Sequence, residues 1–408
     1  MLSFQQGMSS TLITVAQARD LVLTAIQPLG PEDVPIDAAL DRVLDADVRA
    51  AADVPPFACS AMDGYAVMAG PAGRRLPVVG ESRAGTPAGN ALQEGQAIRI
   101  STGAALPPDA DAVIPQELVT VEGDHIETTA AVAAGDHVRG PGEDMPAGLI
   151  VLRAGTRLGP AELGAAVAAG AGSVSVARRP RVSVLATGDE LRGAGEPLGP
   201  GEIHNSNAPM LVGLARHAGG DTAAPGQLPD EREMTRSGIA AALEHSDVVI
   251  IAGGVSVGPH DHVKPALADL GVQEIFWSVA LQPGKPTWFG TLDGGRLVFG
   301  LPGNPVSAVV TFSLFVLPAL HALQGQRTRR QLEAEAILGA EVKRNPRREQ
   351  AVRVVLERGN GQTTATPNGA QASHLLTSLL GADALAMIPA GEGVLAAGSR
   401  VRLEELAA

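Results

Sequence analysis

The residues best suited to chemistry fall in three glycine-rich segments, each following an apolar run. VLATGDEL (184–191) sets Thr187, Gly188, Asp189 and Glu190 at the end of one such run. GGVSVGPHDHVK (253–264) follows VVIIA and carries Gly253, Gly254, Ser256 and Gly258 ahead of Asp261, which His260 and His262 flank. GLPGNPVSA (300–308) brings Pro302, Gly303, Asn304 and Pro305 to the start of a long apolar stretch. Glycine lets the backbone approach a ligand closely. Threonine and serine hydroxyls donate to anions, and successive N–H groups in a turn form a nest for phosphate. Asp261 has the chemistry to hold a divalent cation or a sugar hydroxyl. Taken singly, each segment reads as well as a turn with a cap residue. Three of them after three strands of one sheet would converge on one edge, where open α/β sheets bind ligands.

A second set lies earlier in the chain. Asp63 sits in SAMDGYAV (60–67), Thr102, Asp109 and Asp111 in RISTGAALPPDADAV (99–113), and Asp144 beside Glu143 in GEDMPAG (142–148). On their own these read first as turn formers. Carboxylates on different loops are also what a Mg²⁺-dependent phosphoryl or nucleotidyl site requires, because Mg²⁺ takes hard oxygen ligands. Cys59 is the only cysteine, with no base placed beside it, and reads as structural. No GxGxxG follows the 181–187 run and no GxxxxGK[ST] occurs, which speaks against a nicotinamide fold and a P-loop ATPase.

The elements that would position these groups follow from periodicity. Residues 14–27 have a cap at Thr14 and apolar positions at helical spacing. From Ser60 to about Gly148 short alternating pieces separated by Gly, Pro and Asp predict a β-rich lobe. Residues 149–179 hold a strand, a helix opening at Pro160, and another strand. The spacing predicts a helical N-terminal domain of residues 11–50 with 148–180, interrupted by an inserted β-rich domain of 51–147. Residues 181–328 alternate strand and helix, with the continuous apolar strand VVIIA of the parallel kind, and predict a doubly wound α/β domain. Residues 329–408 read as a small C-terminal β-barrel-like domain. The expected fold class is therefore multidomain α/β.

Composition narrows the partners. Of 408 residues, 31 are Lys or Arg and 44 Asp or Glu, a net charge of -13 that excludes nucleic acid or an anionic membrane as a partner held by bulk electrostatics. A phosphorylated ligand must be met locally, by backbone amides or a metal. One cysteine excludes an internal disulfide and a thiolate metal cluster. The 49 glycines and 30 prolines lack a collagen period and read as tight turns. Apolar stretches such as Ala161–Ala171 are too short or too broken to cross a bilayer. The first ten residues lack a signal-peptide pattern, so a cytoplasmic location is expected.

In order along the chain, PPFACSAMDGYAV, STGAALPPDADAVIPQE, GEDMPAG, SVLATGDEL, GEIHNSN, IIAGGVSVGPHDHVK, QPGKPTWFG, GLPGNPVSA and ASHLLTSL resemble the molybdopterin molybdenumtransferase family, which includes the C-terminal domain of gephyrin. The resemblance implies four domains, 181–328 being the molybdopterin-binding one. It implies a homodimer with a composite active site and transient contact with the molybdopterin adenylyltransferase. The activity it implies is insertion of molybdate into adenylylated molybdopterin, with Mg²⁺ and release of AMP. Matched residue by residue, the functional groups are Asp63, Thr102, Asp144, Glu190, Asp230 and Asp261, with Glu190 and Asp261 toward the metal. The ligand-binding set is Thr187, Gly188, Gly254, Ser256, Lys285, Pro302, Gly303, Asn304 and Pro305.

Two departures accompany the match. Lysines that typically line the anion site stand here as Ser278 and Gln282, and the basic run before GED keeps only Arg139. Lys285, Arg139 and Arg353 are the cations expected to compensate. A non-catalytic or specialised paralogue, carrying the pterin cofactor or handling tungstate, is the alternative these departures leave open.

Overall fold

The computed structural model describes residues 12–255, 261–327, 335–359 and 361–407. The chain forms two compact units: one runs to Glu32 and resumes at Ala177, and the other is Asp33–Val176.

Helix α1 (Val15–Thr24) begins with a reciprocal capping box, Gln17 N–H donating to Thr14 Oγ1 at 3.2 Å and Thr14 N–H to Gln17 Oε1 at 2.9 Å. Its buried face, Val15, Ala18 and Val22, packs into the core of the α/β sheet. The expectation that this helix shares a core with 38–50 and 149–179 is therefore corrected. The reason lies in a later helix. Pro318 has no N–H to offer the Leu314 carbonyl one turn back. Arg19 Nε of α1 donates to that carbonyl at 3.4 Å, and Arg19 pairs with the buried Glu404 at 2.9 Å.

In the second unit, six strands form one sheet: β1 (Gly64–Val67), β2 (Arg75–Ser82), β3 (Ala97–Ile100), β4 (Ala112–Pro115), β5 (Val119–Glu122) and β6 (His125–Thr128), in the order β4-β1-β3-β2-β6-β5. In the same unit Ala39, Leu44, Val48, Leu158, Ala166 and Val176 share a separate core. That core holds one α-helix, α2 (Pro160–Ala168), among short strand pairs such as Val48–Arg49 with Ile150–Leu152. It is less helical than the spacing predicts: Asp41, Asp45 and Asp47 weaken a helix over 38–50, and Val48–Arg49 pairs as a strand instead.

The α/β sheet of the first unit contains β7 (Arg181–Thr187), β8 (Asp221–Thr222), β9 (Gly226–Leu228), β10 (Val248–Ala252), β11 (Gln273–Trp277), β12 (Trp288–Leu292) and β13 (Arg296–Leu301). The path is β8-β7-β10-β13-β12-β11, with β9 beside β7. Strands β7, β10 and β13 pair in parallel, while β12 and β11 run antiparallel at one edge. Helices α3 (Asn207–His217), α4 (Arg232–His245) and α5 (Val263–Asp269) cover it. The last helical stretch, α6 (Pro305–Thr311), a π turn (Phe312–Val316) and α7 (Leu317–Leu323), is long and apolar enough to cross a membrane, unlike the stretches weighed from sequence. It is 83% buried, the core helix of the sheet.

The C-terminal strands β14 (Glu335–Leu338), β15 (Glu349–Gly359), β16 (Gln362–Pro367), β17 (Ala384–Ile388) and β18 (Arg400–Glu405) close into a barrel in the circuit β15-β16-β14-β18-β17-β15. Closure removes free edges. Leu281 and Gln282 pair in parallel with Glu349 and Gln350, joining sheet to barrel within one unit.

Candidate active site

The three glycine-rich loops leave the carboxyl ends of β7, β10 and β13, which are neighbours in the sheet. Gly253 and Gly254 adopt φ of 92° and 64°, and a Cβ on Gly254 would stand 3.0 Å from Thr187 Oγ1 and 2.6 Å from Val263. Glycine is required there on both counts. A Cβ on Gly303 would lie 3.8 Å from the Gly253 Cα, so the third loop closes on the second. Asn207, at the start of α3, donates to the Gly303 carbonyl at 2.6 Å. Thr187, Gly188, Gly254 and Gly303 are thus brought together. Ser256, Gly258 and His260 lie outside the described residues.

The backbone donors are less free than the sequence suggests. Gly253 N–H donates to Leu301 O at 3.0 Å, and Val306 N–H, in the first turn of α6, to Ser373 O at 3.2 Å. Asn304, expected to open that helix toward an anion, instead donates its amide to Ser373 Oγ at 3.0 Å. Loop and barrel are fastened together at this point.

Beside the fastening is a cleft lined by Gln282, Lys285, Pro302 and Asn304 from the sheet and by Arg348 and His374 from the barrel. Pro305 follows directly as the first residue of α6. Arg348, Ser373 and His374 were assigned no role from sequence. The signal was present in RNPRRE and in ASHLLTSL, but strand alternation cannot say which loop of a barrel faces another domain.

Arg353 was expected to help replace the missing lysines, and the structure corrects this. Its side chain is fully buried. Nε and Nη2 donate to Ser378 Oγ at 3.2 and 3.0 Å, and Nη2 donates to the carbonyls of Ala370 and Ala372, both at 3.4 Å. Burial pushes the guanidinium down to about 10, so it stays charged at neutral pH. Arg353 holds the 370–378 segment from behind. The replaced lysine positions also differ from one another. Ser278 is buried with φ of 73°, whereas Gln282 lines the cleft, its Oε1 accepting from Asn345 Nδ2 at 2.6 Å.

Among the acids, Glu190 lies exposed in the loop after β7, and Asp230 is half-buried in the loop between β9 and α4. The Asp230 N–H donates to Asp189 Oδ1 at 3.1 Å, which ties these loops. Asp261 lies two residues before α5 and is partly buried. Among the described residues, no three acidic, histidine or cysteine side chains gather as a metal cluster.

In the other unit, Asp63 and Thr102 meet directly. Thr102 donates both its N–H, at 2.7 Å, and its hydroxyl, at 3.1 Å, to Asp63 Oδ1. The backbone bond first and the hydroxyl second hold this exposed carboxyl below the usual aspartate range, although slight desolvation works against them. Asp144 is exposed in the loop before Ile150, its N–H donating to Val54 O at 3.0 Å. Arg139 is exposed in the same unit, in the two-residue strand that pairs with Cys59.

An open α/β sheet with three glycine-rich loops at the carboxyl ends of its parallel strands, a polar cleft against a small barrel and a separate β lobe define a multidomain α/β protein. Known families match in the same order: MoeA N-terminal region (domain I and II) over residues 13–170, a probable molybdopterin binding domain over 183–322, and MoeA C-terminal region (domain IV) over 335–406. The molybdopterin molybdenumtransferase of Haemophilus influenzae is 35% identical, over 96% of this chain and 98% of its own, and that of Bacillus subtilis 34% identical, over 88% and 86%. A crystal structure of the molybdopterin biosynthesis moeA protein from Pyrococcus horikoshii OT3 matches with a TM-score of 0.82 at 31% identity, covering 97% of this chain and 100% of that one. The chain belongs to the molybdopterin molybdenumtransferase family.

Proposed function

We propose that this chain is a molybdopterin molybdenumtransferase, placing molybdenum from molybdate onto adenylylated molybdopterin with release of AMP. The cleft carries the reading. It gathers Lys285, Arg348 and His374 next to the PGNP loop, so an oxyanion there meets local donors although the whole chain is acidic. The adjoining glycine loops suit the phosphorylated pterin. Attack of a water or molybdate oxygen on one phosphorus of the phosphoanhydride sends the bridging oxygen out on the other phosphate, and these donors and a cation would stabilise the charge that gathers on those oxygens.

The candidate ligands fit Mg²⁺, which binds through one or two carboxylates and keeps waters and substrate phosphates for the rest of its shell. In this proposal Glu190 and Asp261 hold it, with Asp230 on the loop tied to that of Glu190. When bound, Mg²⁺ neutralises phosphate charge. Asp63, Thr102 and Asp144 sit on the unit that lacks the sheet loops. The proposal therefore includes a homodimer, in which a second copy supplies these residues. A cytoplasmic location and transient transfer from the adenylyltransferase belong to the same reading.

The test is incubation of the protein with adenylylated molybdopterin, molybdate and Mg²⁺, following AMP. Release that requires molybdate supports the transferase. Tight pterin binding without AMP release would replace it with the carrier reading, which Ser278 and Gln282 favour. Full activity of a monomer by light scattering would reject the shared site.

A further inference from the structure

We propose that Asp189 is a positioning residue for this site, holding the loop of Glu190 against the loop of Asp230; the role rests on the transferase reading. Strands β7 and β9 pair in parallel as far as Thr187 and Leu228, and then their chains part. One turns into the excursion that returns at Ile203–His204, and the other enters α4. Glu190 and Asp230 both lie beyond the last ladder pair, where sheet hydrogen bonds no longer set their separation.

Asp189 spans that gap. Its carboxylate accepts the Asp230 N–H at 3.1 Å. Its own carbonyl accepts from Arg192 Nη1 at 3.0 Å, and Arg192 Nη2 is ion-paired with Glu202 farther along the excursion. Gln227 Nε2 adds a bond to Leu191 O at 3.0 Å, and Gly188 N–H one to Leu228 O at 3.3 Å. Asp189 is the member of this lacing that reaches past Pro229 to the Asp230 backbone itself. A negative group is also favoured there, because Asp230 lies two residues ahead of the 14-residue α4, at its positive end. The carboxylate thus acts through its acceptor atom, with the neighbouring acids as the groups it places. Small displacements of reacting groups lower rates steeply.

This separates Asp189 from a residue that touches substrate. An asparagine keeps the acceptor and loses the charge, while an alanine loses both. Asp189→Ala should lower kcat about tenfold, with KM for the pterin substrate within about twofold. Asp189→Asn should restore most of the rate, and Glu190→Gln, made in parallel, should not be rescued in this way. A second measurement is independent of turnover: amide hydrogen exchange of the Gln227–Glu231 peptide should accelerate in Asp189→Ala and stay slow in Asp189→Asn. Unchanged exchange in Asp189→Ala would overturn the tie. Asp189→Asn as slow in turnover as Asp189→Ala would overturn positioning in favour of a direct role for the charge. Wild-type protein that releases no AMP would sink the transferase reading, while the exchange result would still decide whether Asp189 joins the loops.

Discussion

Two cations a few residues apart, Arg348 and Arg353, belong to different regions and have different work. Arg348 lines the cleft with Lys285 and His374, where an anion can reach it. Arg353 is buried on the outer face of the barrel strand, beneath the 370–378 segment, where Ser378 and two carbonyls take its donors. One stands just before a barrel strand and the other within it, and a count of positive charges would add them together. In a protein of net charge -13 the useful quantity is the number of cations a ligand can touch. By that measure Arg353 counts for structure, and Arg348 is the one that lines the cleft.

The largest effect should come from breaking the buried side of this comparison. Arg353→Met removes the charge but strands Ser378 and the carbonyls of Ala370 and Ala372, so stability should fall by about 2–4 kcal/mol. Urea unfolding measures it. A loss below about 1 kcal/mol would show that the 370–378 wall is held by other contacts. Next come the two replaced lysine positions, which separate when tested singly. Ser278→Lys forces a long cation into a buried site and should cost about 1–3 kcal/mol without improving molybdate use. Gln282→Lys gives up the bond to Asn345 but adds an ammonium to the cleft, and should strengthen apparent molybdate affinity about threefold. Equal behaviour of the two variants would erase the distinction. Lys285→Ala should leave stability within about 0.5 kcal/mol, because the side chain is exposed, and weaken apparent molybdate affinity about fivefold.

The sequence made the sheet edge legible because its signals are local. VVIIA can only be a buried strand, and the glycines after it must turn; Gly254 shows why, with its positive φ and Thr187 against it. The pieces of the β lobe were legible for the same reason, through alternation between turn residues. What stayed hidden depends on partners far along the chain. The amphipathic spacing of α1 says that Val15, Ala18 and Val22 are buried, but not that Pro318 opens a carbonyl for Arg19 some 300 residues away. Arg353 alternates like a surface residue, on the strand face opposite Val352 and Val354, and only the 370–378 segment folded over that face makes it a buried cation. Asp189 was visible as one acid among several. Its bond to the Asp230 backbone required the two loops to be placed in space.

The smallest effect concerns the lobe, where Thr102 is the main support of the Asp63 carboxylate and Arg99 a lesser one. Thr102 contributes two bonds to Asp63, and the backbone N–H does more than the hydroxyl to lower its pKa. Thr102→Val removes the weaker contribution and leaves the stronger. The Asp63 pKa should therefore rise, yet remain below the usual aspartate range, in a carboxyl-detected NMR titration. A depressed carboxylate is ionised down to a lower pH than an ordinary one, so any step that needs the Asp63 anion fails only as pH falls through that lowered value. In Thr102→Val the acid limb of the rate profile should move to higher pH, with the neutral-pH rate changed much less. Because Asp63 is exposed, global stability between pH 5 and 8 should be unaffected. An acid limb that stays in place while the Asp63 titration moves would show that the limiting ionisation belongs to another group, with the acids of the sheet edge, Glu190 and Asp230, next to be examined.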